Sequence, residues 1–410
     1  LMNDCEMDGV QGHDPQTWSR TILQRRQQAI RRVIKRGVWH MKKYPNSEII
    51  GYKNGYKGLL EGNILKFPKS LQSKISNFYE FGGSPLGNSR VKLTNIEDCI
   101  KKGYINEGEN PLEVAAKQLI KDNITILHTI GGDDTNTTAA DLSKYLKDNN
   151  YSLTVVGLPK TIDNDVFPIK QTLGAWTAAE QGAIFFENIV NENTTSNRQL
   201  IIHEVMGRNC GWLTAATALE YRERLKTFNF LDDIGINKNK WEVHAIFIPE
   251  EKINLDKEAK RLNKIMQKFD CVNIFLSEGA GIDTIINEME KNGEKIPRDA
   301  FGHVRLDEIN PGKWFAKELT NRLNAKKVLV QKSGYFSRSS KANEKDLNLI
   351  FDCADKAVEC AVNGLSGVIG WDEDNNNVLS CIEFPRIKGG KEFDTKNLWY
   401  QKMIKEINSI

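Results

Sequence analysis

The chain has 410 residues, 40% of them hydrophobic and 27% charged, with a formal net charge of +3. That length exceeds what one hydrophobic core usually serves, so two domains are expected. The near-neutral balance supplies no field for nucleic acid, no apolar run reaches the ~20 residues that span a bilayer, and the opening carries no secretory pattern.

The first forty residues are atypical. Residues 16–47 hold no acid, yet Arg20, Arg25, Arg26, Arg31, Arg32, Lys35, Arg36, Lys42 and Lys43 are basic. Ile22, Ile30, Val33 and Ile34 recur near helical spacing, which reads as an amphipathic helix with a solvated basic face. A targeting peptide or a polyanion contact are the alternatives, and Asp4, Glu6, Asp8 and Asp14 upstream argue against a transit peptide. Beyond this stretch, apolar strand-like runs alternate with helical patterns, the signature of an α/β fold. "EIIGYKNGYKGL" (48–59) reads as a strand leading to a Gly turn, and "NPLEVAAKQLIKDN" (110–123) as a helix. "TILHTI" (125–130), "TAADLSKYLKDNN" (138–150) and "SLTVVGL" (152–158) form a βαβ unit with parallel strands. A long helix is expected over 175–193, strands at 199–206, 242–248, 271–278 and 326–336, a helix over 346–364 and a strand at 366–371. The seven cysteines, Cys5, Cys99, Cys210, Cys271, Cys353, Cys360 and Cys381, make no CxxC pair. They read as reduced thiols of a cytoplasmic protein without a structural metal.

Strand C-terminal ends carry function in open α/β sheets, and here they carry charge. "GGDDT" (131–135) looks like a phosphate-cradling turn, yet it holds Asp133 and Asp134. "PKTIDND" (159–165) sets Asp163 and Asp165 two apart, on one side of an extended stretch, near Lys160. Two acids and a lysine suit phosphoryl transfer, with one carboxylate as base, one near Mg²⁺ and the lysine on phosphate. A plain turn with Asx hydrogen bonds is the alternative. "MGRNCGW" (206–212) offers Arg208 as a phosphate fork. "SEGAG" (277–281) offers Glu278 beside small residues, "GYFSRSS" (334–340) offers Arg338, and "FGGSPLGNSR" (81–90) ends in Arg90. Each is also compatible with an ordinary turn or surface residue; the set is stronger than its members.

"GGDDT", "PKTIDND", "MGR" and "SEG", in this order, resemble the phosphofructokinases, most closely the pyrophosphate-dependent ones, over roughly residues 48–408. The resemblance implies two Rossmann-like three-layer α/β domains with mostly parallel sheets and the site between them. Residues 1–175 plus about 336–410 would form the donor domain, and 176–335 the fructose 6-phosphate domain. It implies phosphoryl transfer from pyrophosphate to the C1 hydroxyl of fructose 6-phosphate, reversibly and with Mg²⁺, in a homodimer or larger assembly. Asp163 resembles the general base, Asp165 its partner near Mg²⁺, and Asp133 the acid that positions the metal. Arg90, Gly131, Gly132 and Lys160 fall on the donor side. Thr161, Met206, Gly207, Arg208, Glu278, Tyr335 and Arg338 fall on the sugar-phosphate side, and Arg198 resembles an arginine that reaches a neighbouring subunit's site. ATP-dependent members usually carry glycine where Asp134 and Lys160 stand. A carboxylate ~4 Å from an α-phosphate is repelled by ~4 kcal/mol at an effective dielectric of ~20, so Asp134 would select against ATP. The opening "DGVQGHDP" offers Gly9 and Gly12 but not the family's first Gly-rich turn. A catalytically impaired homologue or non-catalytic subunit is therefore an alternative, and an ATP-dependent kinase a more distant one.

Overall fold

The computed structural model describes residues 21–22, 48–68, 70, 84–297 and 304–410. Apart from residues 21–22, the basic stretch at 16–47 lies outside them, as do Gly9, Gly12, Cys5 and residues 81–83 of the turn before Arg90. In chain order, β1 (Thr21–Ile22), β2 (Ile50–Tyr52) and β3 (Ile64–Lys66) precede α1 (Pro111–Lys121), β4 (Ile126–Gly131), α2 (Asp133–Asp148), β5 (Thr154–Pro159) and α3 (Ala175–Ile189). Then come β6 (Gln199–Val205), α4 (Trp212–Leu225), β7 (Ala245–Phe247), α5 (Leu255–Phe269), β8 (Cys271–Ser277), α6 (Pro311–Leu323) and β9 (Lys327–Lys332). The chain continues with α7 (Gly334–Ser339), α8 (Glu344–Val362), β10 (Gly367–Asp372), β11 (Val378–Ile382) and α9 (Leu398–Asn408).

Two sheets organise these elements. The first has the order β1-β4-β5-β10-β11; β1, β4, β5 and β10 run parallel, and β11, which the sequence pattern does not anticipate, is antiparallel. Leu127, Val155 and Val368 point to one face, where they pack with Ala115 and Leu119 of α1 and Ala139 and Leu142 of α2. Ile126, Ile130, Val156, Leu158 and Ile369 point to the other, under Leu349, Cys353 and Ala357 of α8. Covering both faces is what a parallel sheet requires, and it explains the continuous apolar runs of these strands.

The second sheet, β7-β8-β6-β9, is parallel throughout. Leu200, Ile202, Val272 and Ile274 meet α5 and α6, while Ile201 and Phe275 meet α3, α4 and α9. The expected division gave the chain end to the first domain. α9 instead packs on the second sheet, because Tyr400, Met403 and Ile407 recur at helical spacing and are buried there. A small cluster of Ile162, Ala178, Ala179, Val205 and Leu213 joins the ends of β5 and β6.

Candidate active site

At the end of β4 the chain enters α2 directly. Asp133 and Asp134, expected in a turn, are the first residues of the helix, with Gly132 as its N-cap. Carboxylates are favoured at that end of the helix dipole. The Asn136 amide donates to the carbonyls of Gly131 and Gly132, at 3.0 Å each, and holds the junction closed. The Asp134 side chain is 76% exposed, with its carboxylate 3.7 Å from the Lys92 ammonium.

At the end of β5, the Lys160 backbone N–H donates to Gly131 at 2.6 Å, tying the two acid-bearing junctions together. Asn164 stands between the acids at φ +58°, a left-handed conformation that asparagine tolerates. Its side chain donates to the Lys170 carbonyl at 3.1 Å and accepts from the Thr172 N–H at 2.8 Å. The Thr172 hydroxyl donates to the Thr161 carbonyl at 2.8 Å. The turn is thus held by its neighbours while Asp163 and Asp165 face a common cleft, each with a buried Oδ1 lacking a hydrogen-bond partner. Burial, then the charges of Asp165 and Glu278, push the Asp163 carboxyl up to about 7 against the pull of Arg338 and Lys160. Burial also raises Asp165, opposed by hydrogen bonds from the backbone and Thr161.

The second sheet supplies the opposite wall. Gly207 follows β6 at φ +138°, and its N–H approaches Glu278 Oε1 at 3.4 Å. A side chain at Gly279 would overlap the Arg208 carbonyl, so a glycine is needed where the ends of β6 and β8 meet. Burial raises the Glu278 carboxyl, while the Gly207 N–H and Arg208 oppose the shift.

The resulting cleft, about 350 Å³, is lined by Arg90, Gly132, Asp133, Asp134, Thr161, Asp163, Asp165, Arg208, Glu278 and Arg338. Lys160 is buried beside the acids rather than on the cleft wall. Gly131, Met206 and Gly207 are likewise not among the residues that line it. Tyr335 lies outside the lining, 78% exposed on α7. Arg198 is not brought to the cleft of its own chain. It precedes β6, at the opposite end of the strand from Met206, and its guanidinium donates to the carbonyls of Leu323 and Asn324 at the end of α6. A larger cavity, about 1200 Å³, opens behind the 163–165 turn. The acids and arginines converge on the smaller one, and the site is placed there.

Tyr56, Lys92 and Asn209 also line the cleft, and sequence reasoning missed them. Lys92 had a signal: it stands two residues after Arg90, on the same side of an extended chain. Lys332 was also missed. It ends β9, pairs with the buried Glu204 at 2.7 Å, and opposes the upward shift of Glu278.

Among the described residues no cluster of three or more His, Cys, Asp or Glu is arranged to hold a metal ion alone. The donors facing the cleft are carboxylate oxygens, and two are buried without a hydrogen-bond partner. That set fits Mg²⁺, which commonly binds one or two carboxylates together with substrate phosphates.

Two parallel-sheet bodies whose strand ends present acids and arginines across one cleft make this an α/β protein built for phosphorylated ligands. The chain belongs to the phosphofructokinase family, whose model, "Phosphofructokinase", matches residues 28–361. It is 60% identical over 363 residues to the pyrophosphate–fructose 6-phosphate 1-phosphotransferase of Methylomonas methanica, covering 88% of this chain and 89% of that protein. It is 51% identical over 379 residues to the protein of the same name from Propionibacterium freudenreichii, covering 92% and 93%. In fold it is similar to the crystal structure of the pyrophosphate-dependent phosphofructokinase of Nitrosospira multiformis. The TM-score is 0.66 at 18% identity, over 91% of this chain and 84% of that one.

Proposed function

We propose that this chain transfers a phosphoryl group from pyrophosphate to the C1 hydroxyl of fructose 6-phosphate, giving fructose 1,6-bisphosphate and phosphate, in both directions. The observation that carries it is the pair of half-buried acids, Asp163 and Asp165, each with one buried carboxylate oxygen, in a cleft also lined by Arg90, Lys92, Arg208 and Arg338. Phosphoryl transfer asks mainly for positioning and charge compensation, and this arrangement supplies both. Arg208, Glu278 and Arg338 bind and orient the sugar phosphate. Asp163 accepts the C1 hydroxyl proton, for which a carboxyl raised toward neutrality is suited. Arg90 and Lys92 take the donor phosphates, with Lys160 supplying positive charge from behind. Asp133 and Asp165 would hold Mg²⁺, which when bound neutralises charge on the transferring group.

Asp134 selects the donor. Its carboxylate stands at the mouth of the helix junction, where a nucleotide α-phosphate would meet like charge, and it pairs with Lys92. Several supports converge on pyrophosphate: Asp134, Lys160, and relatives of that name at 51% and 60% identity. The first sheet's body is then the donor side and the second sheet's body the sugar-phosphate side, in a homodimer or larger assembly. The reading includes a cytoplasmic location; among the described residues no helix is long and apolar enough to cross a membrane. The test is turnover of purified protein with fructose 6-phosphate and Mg²⁺, comparing pyrophosphate with ATP. Pyrophosphate is expected to be the better donor. Turnover with ATP alone overturns the donor reading, and sugar-phosphate binding without turnover identifies a non-catalytic homologue.

A further inference from the structure

The segment between β11 and α9 has no part in the mechanism above, yet it touches both acid-bearing junctions. Arg386 starts it, forking onto the buried Asp372 at 2.8 and 2.7 Å. Lys388 then bridges antiparallel to Phe167: Phe167 N–H donates to Lys388 at 2.8 Å, and Lys388 N–H to Phe167 at 3.0 Å. The Lys391 N–H donates to the Asp165 carbonyl at 3.0 Å. The Lys391 ammonium donates to the Ile169 carbonyl at 2.8 Å and pairs with Glu373 at 2.7 Å. Residues 388–391 are therefore fixed to the backbone just downstream of Asp163.

Between these anchors, Gly389 lies against the Asp133 side chain. A Cβ at Gly389 would overlap all three atoms of the Asp133 carboxyl group. Asp133 is on the first turn of α2 and has a short side chain, so the carboxylate would have to leave its place. Gly390, next along, has open space where a Cβ would stand, so the close approach is specific to Gly389. We propose that residues 388–391 form a positioning strap that registers the Asp133 carboxylate against the Asp163–Asp165 turn, with Gly389 as its contact residue and Lys391 as its anchor. Neither residue touches the reacting atoms; they act through Asp133 and Asp165. The inference rests on the reading of Asp133 as a metal-holding acid, and it deepens that reading by naming what sets its place. Partners that orient a metal ligand typically contribute 10–100-fold in metal affinity or activity.

The experiment compares wild type, Gly389→Ala, Lys391→Met and Lys391→Arg. One readout is the Mg²⁺ concentration for half-maximal turnover with pyrophosphate. The other is calorimetric binding of the Mn²⁺ complex of imidodiphosphate, an unhydrolysable pyrophosphate analogue. Gly389→Ala is expected to raise the Mg²⁺ requirement and weaken the complex by roughly tenfold or more, with the KM for fructose 6-phosphate within about twofold. Lys391→Met should shift both readouts in the same direction, and Lys391→Arg should restore part of the loss. A general folding defect would move the sugar-phosphate KM as well. Wild-type values in both readouts for Gly389→Ala overturn the strap while leaving the proposed function standing. A wild type that neither turns over nor binds the complex overturns the function, and the strap with it.

Discussion

In the proposed reaction, Asp163 is the side chain on which the chemistry turns. Its burial and acidic neighbours raise its carboxyl to about 7, so near neutral pH it is partly ionised and basic enough to take a proton from a hydroxyl. Asp163→Asn should lower kcat by about 10²–10⁴ and leave fructose 6-phosphate binding measurable by calorimetry; a kcat equal to wild type removes Asp163 from the role of base. Asp134 shows how far residues alone could be read. The sequence suggests repulsion of a nucleotide, and the structure adds an ion pair with Lys92, which is far away in the chain and joined to it only by folding. Two variants separate these contributions. Asp134→Gly with Lys160→Gly should raise the ratio of kcat/KM for ATP to that for pyrophosphate; an unchanged ratio would sink the selector reading. Lys92→Met should raise the KM for pyrophosphate by roughly tenfold, the scale of one charge-assisted hydrogen bond, with the KM for fructose 6-phosphate nearly constant.

Elements with strong apolar periodicity were legible. β4, β5, β6 and β8 lie where their apolar runs placed them, because buried parallel strands need side chains that suit both faces. The start of α2 was not. "GGDDT" reads as a turn by composition, yet the helix begins at Asp133, where the dipole favours acids and Asn136 closes the junction. β11 was missed because its pairing with β10 is set by tertiary contact rather than by its own sequence pattern. The N-terminus of α3 shows the same limit. Gly174 offers no side-chain cap, and the cap comes from Asp346 on α8. Asp346 is fully buried and accepts from Gly174 N–H at 2.9 Å, Thr177 N–H at 2.7 Å and the Thr177 hydroxyl at 2.6 Å. Asn343 in turn accepts from the Asp346 N–H at 2.9 Å, a local cap visible in the sequence, whereas the bonds to α3 are not. Asp346→Ala leaves buried donors unsatisfied and should cost about 2–3 kcal/mol, read as a lower denaturation midpoint with an unchanged slope. A loss below about 0.5 kcal/mol would show that α3 is capped by other means.

At the scale of the whole molecule, the α/β class followed from alternating strands and helices, two domains were expected from chain length and family resemblance, and the charged strand ends pointed to the cleft. What local patterns did not contain was how the chain crosses between the bodies, because α9 and the 388–391 strap are held by partners distant in sequence. Bringing the strand ends together also concentrates three acids, Asp163, Asp165 and Glu278, whose carboxyls are all raised, first by burial. Such groups bind protons more tightly in the folded state than in the unfolded one, so folding stability falls as pH rises from the unfolded value through the folded one. For Asp163 that window runs from the ordinary 3.8 to about 7. The site is therefore bought with stability, as expected where function gathers like charges. Asp163→Asn removes one raised acid while keeping its shape. Without ligands or metal, the variant should unfold at a higher temperature than wild type at pH 8. The difference should shrink as pH falls and vanish only at pH ~3, well below the ordinary 3.8, where the carboxyl is protonated in the fold and largely so in the unfolded chain. Thermal unfolding of both proteins across that range checks it. A variant less stable than wild type at pH 8, or a difference independent of pH, would mean that Asp163 is compensated in the folded protein and that the acids of this cleft impose no electrostatic cost.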